Sequence, residues 1–162
     1  MYQLPVPPSP NLQSMEAVYL YPSLGLFEGT DVSVGRGTSW PFEVIGKPGF
    51  TKGNFNFTPQ SIPGKAENPP YNGQECNGFK LDFFADDFIK TSRQIYLYWL
   101  EGFYKEATDK NAFFNPMFDK LAGTDQLRKD LAAGKSVDDI HKSWQPGLDA
   151  FKKLRAKYLL YP

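Results

Sequence analysis

Proline and glycine interrupt the first half of the chain so often that no long regular element can form there. Between residues 50 and 78 the chain contains Pro59, Pro63, Pro69 and Pro70, together with the turn pairs Pro63-Gly64 and Asn72-Gly73. Proline cannot donate to a helix or sheet ladder, and such dipeptides favour tight turns. The first half is therefore restricted to short strands and short helices joined by turns.

Short β-rich runs between these turns predict a small sheet. We expect strands over 42–45, 54–57 and 76–84, and in the last of these Phe79, Leu81 and Phe83 fall on one face. Ahead of the strands, Leu12, Met15, Val18 and Tyr19 recur at helical spacing. They predict a helix over 12–21 that ends at Pro22, with one further helical turn over 23–27.

Helical periodicity characterises the second half. It predicts helices over 86–107, 116–121, 125–133, 137–144 and 147–158, with Ser136 and Asp139 as a capping pair. We expect the aromatic residues at this spacing to be core, namely Trp99, Phe103, Phe113, Phe118 and Trp144. Residues 1–162 are thus predicted to form a single α+β domain. Its small mixed or antiparallel sheet lies in the first half, with the helices of the second half packed on it.

Composition excludes several classes of function. Lys plus Arg and Asp plus Glu are balanced at 18 each, which disfavours nucleic-acid binding. One cysteine and one histidine provide neither an internal disulfide nor a metal-ligand cluster, so we expect no metal and no cofactor. Residues 1–8 have no signal-peptide pattern, and no apolar run is long enough for membrane insertion.

Residues 28–38, EGTDVSVGRGT, are the strongest candidate for a binding site. This stretch combines three glycines, three hydroxyls, two carboxylates and one arginine. Arg36, between Gly35 and Gly37, would present a planar donor fork suited to a carboxylate or phosphate. The alternative is an ordinary turn in which Arg36 pairs with a nearby carboxylate.

Two carboxylates near this stretch, Glu28 and Glu43, are candidates for acid/base chemistry. Glycoside hydrolysis uses one carboxyl group to protonate the leaving oxygen and a second group as base or nucleophile. Each glutamate could equally be a surface group or a salt-bridge partner, and their spacing in the sequence leaves both possibilities open.

A series of ordered motifs resembles the exo-β-N-acetylmuramidase (NamZ-like) glycoside hydrolase family. The motifs are PPSPNL at 7–12, YPSLGLFEGT at 21–30, SVGRGT at 33–38, PF at 41–42, GKP at 46–48, FTP at 57–59, CNGF at 76–79 and KYLLY at 157–161. They span almost the whole chain. The resemblance is to the C-terminal α+β domain of a two-part protein whose Rossmann-like N-terminal domain is absent here.

The resemblance implies a parent glycoside hydrolase that removes N-acetylmuramic acid from the non-reducing end of peptidoglycan fragments. The active site would lie between the two domains, so this chain alone is expected to be inactive. By the same resemblance, Arg36 would hold the lactyl carboxylate of the sugar. Thr30, Ser33 and Thr38, with Gly35 and Gly37, would line the substrate, and Glu28 would orient Arg36 or act as a catalytic carboxylate. The implied location is periplasmic or secreted, and the alternatives are a non-catalytic sugar-binding module or an interdomain docking module.

Overall fold

A computed structural model describes residues 4–160, so that Met1 of the opening segment and Tyr161 of the closing motif lie outside it. The first half contains helix α1, a 3₁₀ helix and strands β1 to β3. These are Met15–Leu24, Gly25–Gly29, Val44–Lys47, Phe55–Phe57 and Cys76–Lys80. The helices that follow are α2 (Asp82–Phe84), α3 (Lys90–Ser92), α4 (Tyr98–Glu106), α5 (Lys110–Phe113), α6 (Phe118–Ala122), α7 (Gln126–Ala132) and α8 (Val137–Arg155).

The predicted α+β class and sheet are confirmed. Strand β3 lies at the centre and pairs antiparallel with β1 on one side and β2 on the other. Ile45 of β1 faces Phe79 of β3, and Phe57 of β2 faces Cys76. Because side chains alternate between the two faces of a strand, these two pairs belong to opposite faces of the sheet.

The two faces of the sheet support two hydrophobic clusters. The large cluster contains Ile45 and most of the helical core, and Phe103 of α4 joins it to the sheet. The Phe103 ring stacks on Phe50 at 4.4 Å and meets Phe79 edge-on at 6.2 Å. The small cluster on the other face is formed by Val44, Phe57 and Cys76, with partly buried Trp40, Phe55 and Tyr71 against it.

Helix α1 does not end at Pro22, contrary to the prediction from sequence. It begins at Met15 behind the Ser14 N-cap and continues through Pro22 to Leu24. Proline removes one backbone donor but leaves the following residues free to continue the helix. Burial of Ser23 and Leu24 favours this continuation. The predicted last turn is present as the 3₁₀ helix Gly25–Gly29, which carries Glu28.

The predicted long helix over 86–107 is wrong. The chain forms α2, one turn of π-helix at Ala85–Ile89 and α3, and then breaks at Arg93, whose φ is +51°. Helix α4 starts only at Tyr98. A tertiary contact competes with helical continuity here, because the backbone N–H of Tyr96 donates to Ser23 Oγ at 2.8 Å.

Other boundaries differ in detail. Strand β1 starts two residues later than predicted because Phe42 has a φ of +61°, and β3 ends at Lys80, so Phe83 is exposed. The two predicted C-terminal helices are one helix, α8, which passes through Pro146 and begins with the expected Ser136–Asp139 cap. Among the described residues, no helix has both the length and the apolar character required to cross a bilayer.

Candidate functional site

The stretch 28–38 brings Glu28 and Arg36 together. Glu28 lies on the 3₁₀ helix, Arg36 lies in the turn that follows, and Arg36 Nε donates to Glu28 Oε1 at 2.7 Å. The side chain of Arg36 is 31% exposed and that of Glu28 is 27% exposed, so solvent reaches the pair. This contact uses only one edge of the guanidinium, and neither Nη atom has an acceptor among residues 4–160. The remaining edge is the planar fork that binds a carboxylate bidentately.

An aromatic side chain supports the guanidinium from the protein side. Arg36 Cζ lies 5.0 Å from the ring centroid of Phe42, and Phe42 in turn meets Tyr21 of α1 edge-on at 5.0 Å. Phe42 is buried, and its φ of +61° is unusual for a bulky residue. Backbone in this region costs roughly 1–3 kcal/mol and persists only where the surroundings enforce it. Packing therefore holds Phe42 under Arg36.

The glycines beside Arg36 are required by the packing of the loop. Gly35 has a φ of +77°, and a Cβ there would lie 2.4 Å from Val44 Cγ2. Gly37 has a φ of +82°, and its Cβ would lie 2.4 Å from the Gln60 carbonyl oxygen. Both glycines let the loop pack closely against the rest of the protein, and this packing explains their presence without a ligand.

The three hydroxyl groups of the stretch form hydrogen bonds within the loop. Thr30 Oγ1 donates to the Phe27 carbonyl and accepts from the Val32 N–H, whereas Thr38 Oγ1 does the same with Gly35 and Trp40. Ser33 is buried and its Oγ accepts from the Gly35 N–H. These bonds stabilise the turn, and a role for the hydroxyls in binding sugar stays a prediction.

Gly37 and Thr38 line a small cavity of about 210 Å³ that includes neither Glu28 nor Arg36 in its lining. Its other walls come from the opening segment and the loop around Lys65. The predicted site residues thus divide into a half-buried ion pair, a set of loop-stabilising hydroxyls and a cavity wall.

Glu43, the second candidate carboxylate, lies beside the N-terminus of α1. Its carboxylate accepts from the hydroxyl of Ser14, the residue that caps this helix. Burial raises the pKa of Glu43, with smaller contributions in the same direction from Glu16 and Asp82, while the Ser14 hydrogen bond opposes the shift. Asp82 is paired with Lys80 at 2.8 Å, and that hydrogen bond lowers the pKa of Asp82. Of the two neighbouring carboxyl groups, Glu43 and Asp82, Glu43 is therefore the one better suited to retaining a proton.

Sequence reasoning missed two residues that shape the site. Phe42 supports Arg36 through a backbone conformation that no sequence pattern indicates. Asn115, distant in sequence, donates from Nδ2 to the Glu28 carbonyl oxygen at 3.1 Å. The dipeptide Asn115-Pro116 indicates a turn but not its partner. Among the described residues, no group of His, Cys, Asp and Glu side chains could hold a metal ion.

Comparison with known proteins gives consistent results. A family model described as "Exo-beta-N-acetylmuramidase NamZ, C-terminal" matches residues 19–161. The peptidoglycan beta-N-acetylmuramidase NamZ of Bacillus subtilis (strain 168) is 36% identical over 167 residues, which cover 95% of this chain and 40% of that protein.

Two crystal structures of DUF1343 family proteins from Bacteroides fragilis NCTC 9343 resemble the fold. The first has a TM-score of 0.93 and 49% identity, and it covers 99% of this chain and 45% of its own. The second has a TM-score of 0.61 and 17% identity, covers 97% and 45% of the two chains, and shows a similar fold only. The chain spans less than half the length of each of these relatives.

Proposed function

The chain belongs to the family of C-terminal domains of the exo-β-N-acetylmuramidase NamZ, and from this premise we propose that it lines the substrate site of such a glycosidase. The substrate would be a peptidoglycan fragment with a terminal N-acetylmuramic acid. The chain covers 40% of the Bacillus relative, and in this proposal the remaining part of such a protein would supply the other wall of the site. Cell-wall fragments occur in the periplasm or outside the cell, where we place the protein.

The observation that supports this function is that only one edge of the Arg36 guanidinium is hydrogen-bonded within the described residues. Glu28 holds Nε, Phe42 lies against the cation, and the Nη edge has no acceptor among the described residues. N-acetylmuramic acid differs from N-acetylglucosamine by a lactyl carboxylate. A bidentate bond from Arg36 to this carboxylate would therefore select the muramic sugar.

The same geometry assigns Glu28 an orienting role in this proposal. A carboxylate 2.7 Å from Nε fixes the plane of the guanidinium and so reduces the entropy lost when the ligand binds. As a catalytic acid or base, Glu28 would first have to separate from Arg36. The geometry thus favours orientation of Arg36 over the predicted catalytic role, which stays a prediction.

Calorimetric titration of this chain with N-acetylmuramic acid, and with N-acetylglucosamine as the neutral comparison, tests the proposal. We expect binding of the muramic sugar only. Arg36→Lys should weaken it about tenfold or more, because lysine keeps the charge but loses the planar fork. Arg155→Lys, the same change at an exposed arginine of α8, is the matched control and should bind like the unchanged chain.

Equal affinity for both sugars, or an Arg36→Lys variant that binds normally, would contradict the carboxylate contact. Absence of binding in the isolated chain calls for the same pair of variants in a chimera, in which this chain replaces the matching part of the Bacteroides fragilis protein that is 49% identical to it. Unchanged selectivity there would exclude the proposed role of Arg36.

A second role, docking to another part of the protein, is favoured by a different observation. Helix α8 exposes Leu148, Phe151 and Leu154, and Tyr158 is exposed just after its end. The basic residues of this segment have no carboxylate partner among residues 4–160, namely Lys152, Lys153, Arg155 and Lys157. A protein surface that is apolar and rimmed by carboxylates would suit this helix. A cross-linker attached at position 151 of this chain, within a full-length protein of the family, should react with such a surface. If it reacts with no other part of the protein, this face of α8 is open to solvent and the docking role is contradicted.

A further inference from the structure

The sequence contains two Asn-Gly dipeptides, Asn72-Gly73 and Asn77-Gly78, and they lie in very different parts of the fold. In any asparagine, the backbone nitrogen of the next residue can attack the side-chain carbonyl carbon. Glycine as the next residue has no side chain to hinder this approach and leaves the backbone free to bend. An Asn-Gly pair is therefore a chemically labile point of a chain, and the surrounding structure decides whether it reacts.

The first dipeptide lies in an exposed turn whose contacts favour the attack. Asn72 and Gly73 are both exposed, and Gly73 has a φ of +74° with no atom within 4 Å of its Cβ position. Asn72 Oδ1 accepts a hydrogen bond from the Ser61 N–H at 3.0 Å, whereas the side-chain nitrogen of Asn72 has no acceptor among residues 4–160. A donor at this distance stabilises the negative charge that develops on the carbonyl oxygen during attack. The carbonyl carbon is thus activated and the leaving nitrogen is unhindered.

One contact of this turn opposes the reaction, but it is a local one. The Gly73 N–H donates to the Pro59 carbonyl oxygen at 2.8 Å, and the attacking nitrogen must first release this bond. Residues 72–75 are all exposed, and segments with few buried contacts open at low free energy. Opening of the turn is therefore sufficient, and the domain need not unfold.

The second dipeptide is held in the central strand of the sheet. Gly78 is buried in β3, with β1 on one side and β2 on the other. The Asn77 side chain accepts from the Gly53 N–H at 3.0 Å and donates to Asn56 Oδ1 at 2.6 Å. Attack at Asn77 requires β3 to separate from both neighbours, which is a much larger opening. The same dipeptide is thus reactive at one position and protected five residues further on.

We propose that Asn72 is a site of spontaneous deamidation in the folded protein. The Gly73 nitrogen forms a bond to Asn72 Cγ and gives up its proton, and the side-chain nitrogen of Asn72 takes up a proton and leaves as ammonia. Water then opens the five-membered imide at either of its carbonyl carbons. The products are aspartate and isoaspartate, and in isoaspartate the main chain runs through the former side chain with one additional methylene group.

This modification would act on the loop that carries Glu28 and Arg36. The residue before Asn72 is Tyr71, and its hydroxyl donates to the Asp31 carbonyl oxygen at 2.6 Å. Asp31 lies between Glu28 and Arg36 in the sequence. A longer main chain beside Tyr71 displaces the tyrosine relative to Asp31, so conversion of Asn72 should change the surroundings of residues 28–38.

Mass spectrometry of the chain after incubation at mildly alkaline pH tests this inference. Trypsin cleaves after Lys65 and Lys80, so one peptide contains both dipeptides, and its fragmentation assigns the conversion of amide to acid to each asparagine. We expect Asn72 to convert about tenfold faster than Asn77, or more, in the folded chain. In guanidinium chloride both should convert at similar rates, because each is followed by glycine.

Two glycine variants provide the matched comparison. Gly73→Ala places a side chain next to the attacking nitrogen and should slow conversion at Asn72 alone. Gly64→Ala is the control, because Gly64 also has a positive φ, +71°, with no atom within 4 Å of its Cβ position, and it follows a proline. It should leave both rates unchanged.

Equal rates at Asn72 and Asn77 in the folded chain would overturn the inference. So would an Asn72 that stays intact while the unfolded chain converts, or a Gly73→Ala variant that converts like Gly64→Ala. Amide chemical shifts of the ¹⁵N-labelled chain test the effect on the loop. Residues 28–38 should shift after conversion of Asn72, and unchanged shifts there would contradict the coupling through Tyr71.

Discussion

At the residue scale, Gly35 should be among the least replaceable positions of the loop. An alanine there must adopt a φ of +77° and place its Cβ 2.4 Å from Val44 Cγ2, so we expect Gly35→Ala to lower the free energy of unfolding by roughly 2–4 kcal/mol. Gly49→Ala separates the two causes, because Gly49 has a φ of +73° with no atom within 4 Å of its Cβ position. Urea unfolding should show a loss of only about 1 kcal/mol for Gly49→Ala. Equal losses would show that packing at Gly35 contributes nothing.

Glu43 should give the stability of the protein a measurable pH dependence. Burial raises the pKa of Glu43 in the folded state, so the folded protein binds this proton more tightly than the unfolded chain. Its contribution to the free energy of unfolding therefore falls as the pH rises from the ordinary value of 4.5 through the raised folded value. We expect Glu43→Gln to remove this decrease and to be the more stable protein at pH 7. The comparison is urea unfolding at pH 4 and pH 7, with exposed Glu67→Gln as control. A constant difference between Glu43→Gln and the unchanged chain at both pH values would contradict it.

The sequence was sufficient to single out the polar stretch 28–38, but not to predict the hydrogen-bond partners of its side chains. Two alternatives were open for Arg36, a ligand contact or a pair with a nearby carboxylate. The structure shows the pair with Glu28, and because one edge of the guanidinium is left over, the ligand contact stays a prediction. The bonds of Thr30 and Thr38 to nearby carbonyls could not be foreseen, since the same composition suits a turn or a ligand. The strained Phe42 depends on packing from several elements and has no local signal.

At the element scale, the two helix-internal prolines should behave differently when replaced. Pro22→Ala supplies a backbone N–H that can donate to the Val18 carbonyl oxygen, in a helix whose neighbouring residues are buried. It should therefore raise the free energy of unfolding. Pro146→Ala supplies a backbone N–H that can donate to the Lys142 carbonyl oxygen, in a part of α8 that is exposed. It should therefore stabilise that helix only locally. Urea unfolding should detect the first change, and hydrogen exchange over 147–155 the second. A shift of the global midpoint by Pro146→Ala would show that this half of α8 is part of the cooperative core.

The helix boundaries that sequence patterns missed were decided by tertiary contacts. Periodicity over 86–107 indicated one helix, but the Tyr96 N–H binds Ser23, and the rings of Phe84, Tyr96 and Trp99 pack within 4.8 Å of one another. The predicted end at Pro22 and the predicted break between 144 and 147 were both wrong, because a proline removes one hydrogen bond, a loss that the rest of a helix can outweigh. Capped elements were predicted well, as the start of α8 at Ser136 shows, because a cap is a local interaction.

At the scale of the whole molecule, a hydrogen bond from a buried serine helps to join the two halves of the chain. Ser23 Oγ, buried in α1, accepts from the Tyr96 N–H, 73 residues away. Ser23→Ala would leave this N–H without its partner, so we expect a loss of about 1–3 kcal/mol in the free energy of unfolding. Ser39→Ala, at an exposed serine, is the control and should change it little. If both variants unfold at the same urea concentration, the bond does not contribute to holding the halves together.

The small hydrophobic cluster gives the molecule an internal reporter of its own fluctuations. Cys76 is the only cysteine in the sequence, it is fully buried in this cluster, and burial raises its pKa to about 11. The thiolate is the nucleophile that attacks a thiol reagent, and it must be exposed to do so, so Cys76 can react only after this face of the sheet opens. Few buried side chains lie in the small cluster, and regions of that kind open at lower free energy than a main core. The modification rate of one natural thiol therefore reports the frequency of local opening at β2 and β3 without any introduced label.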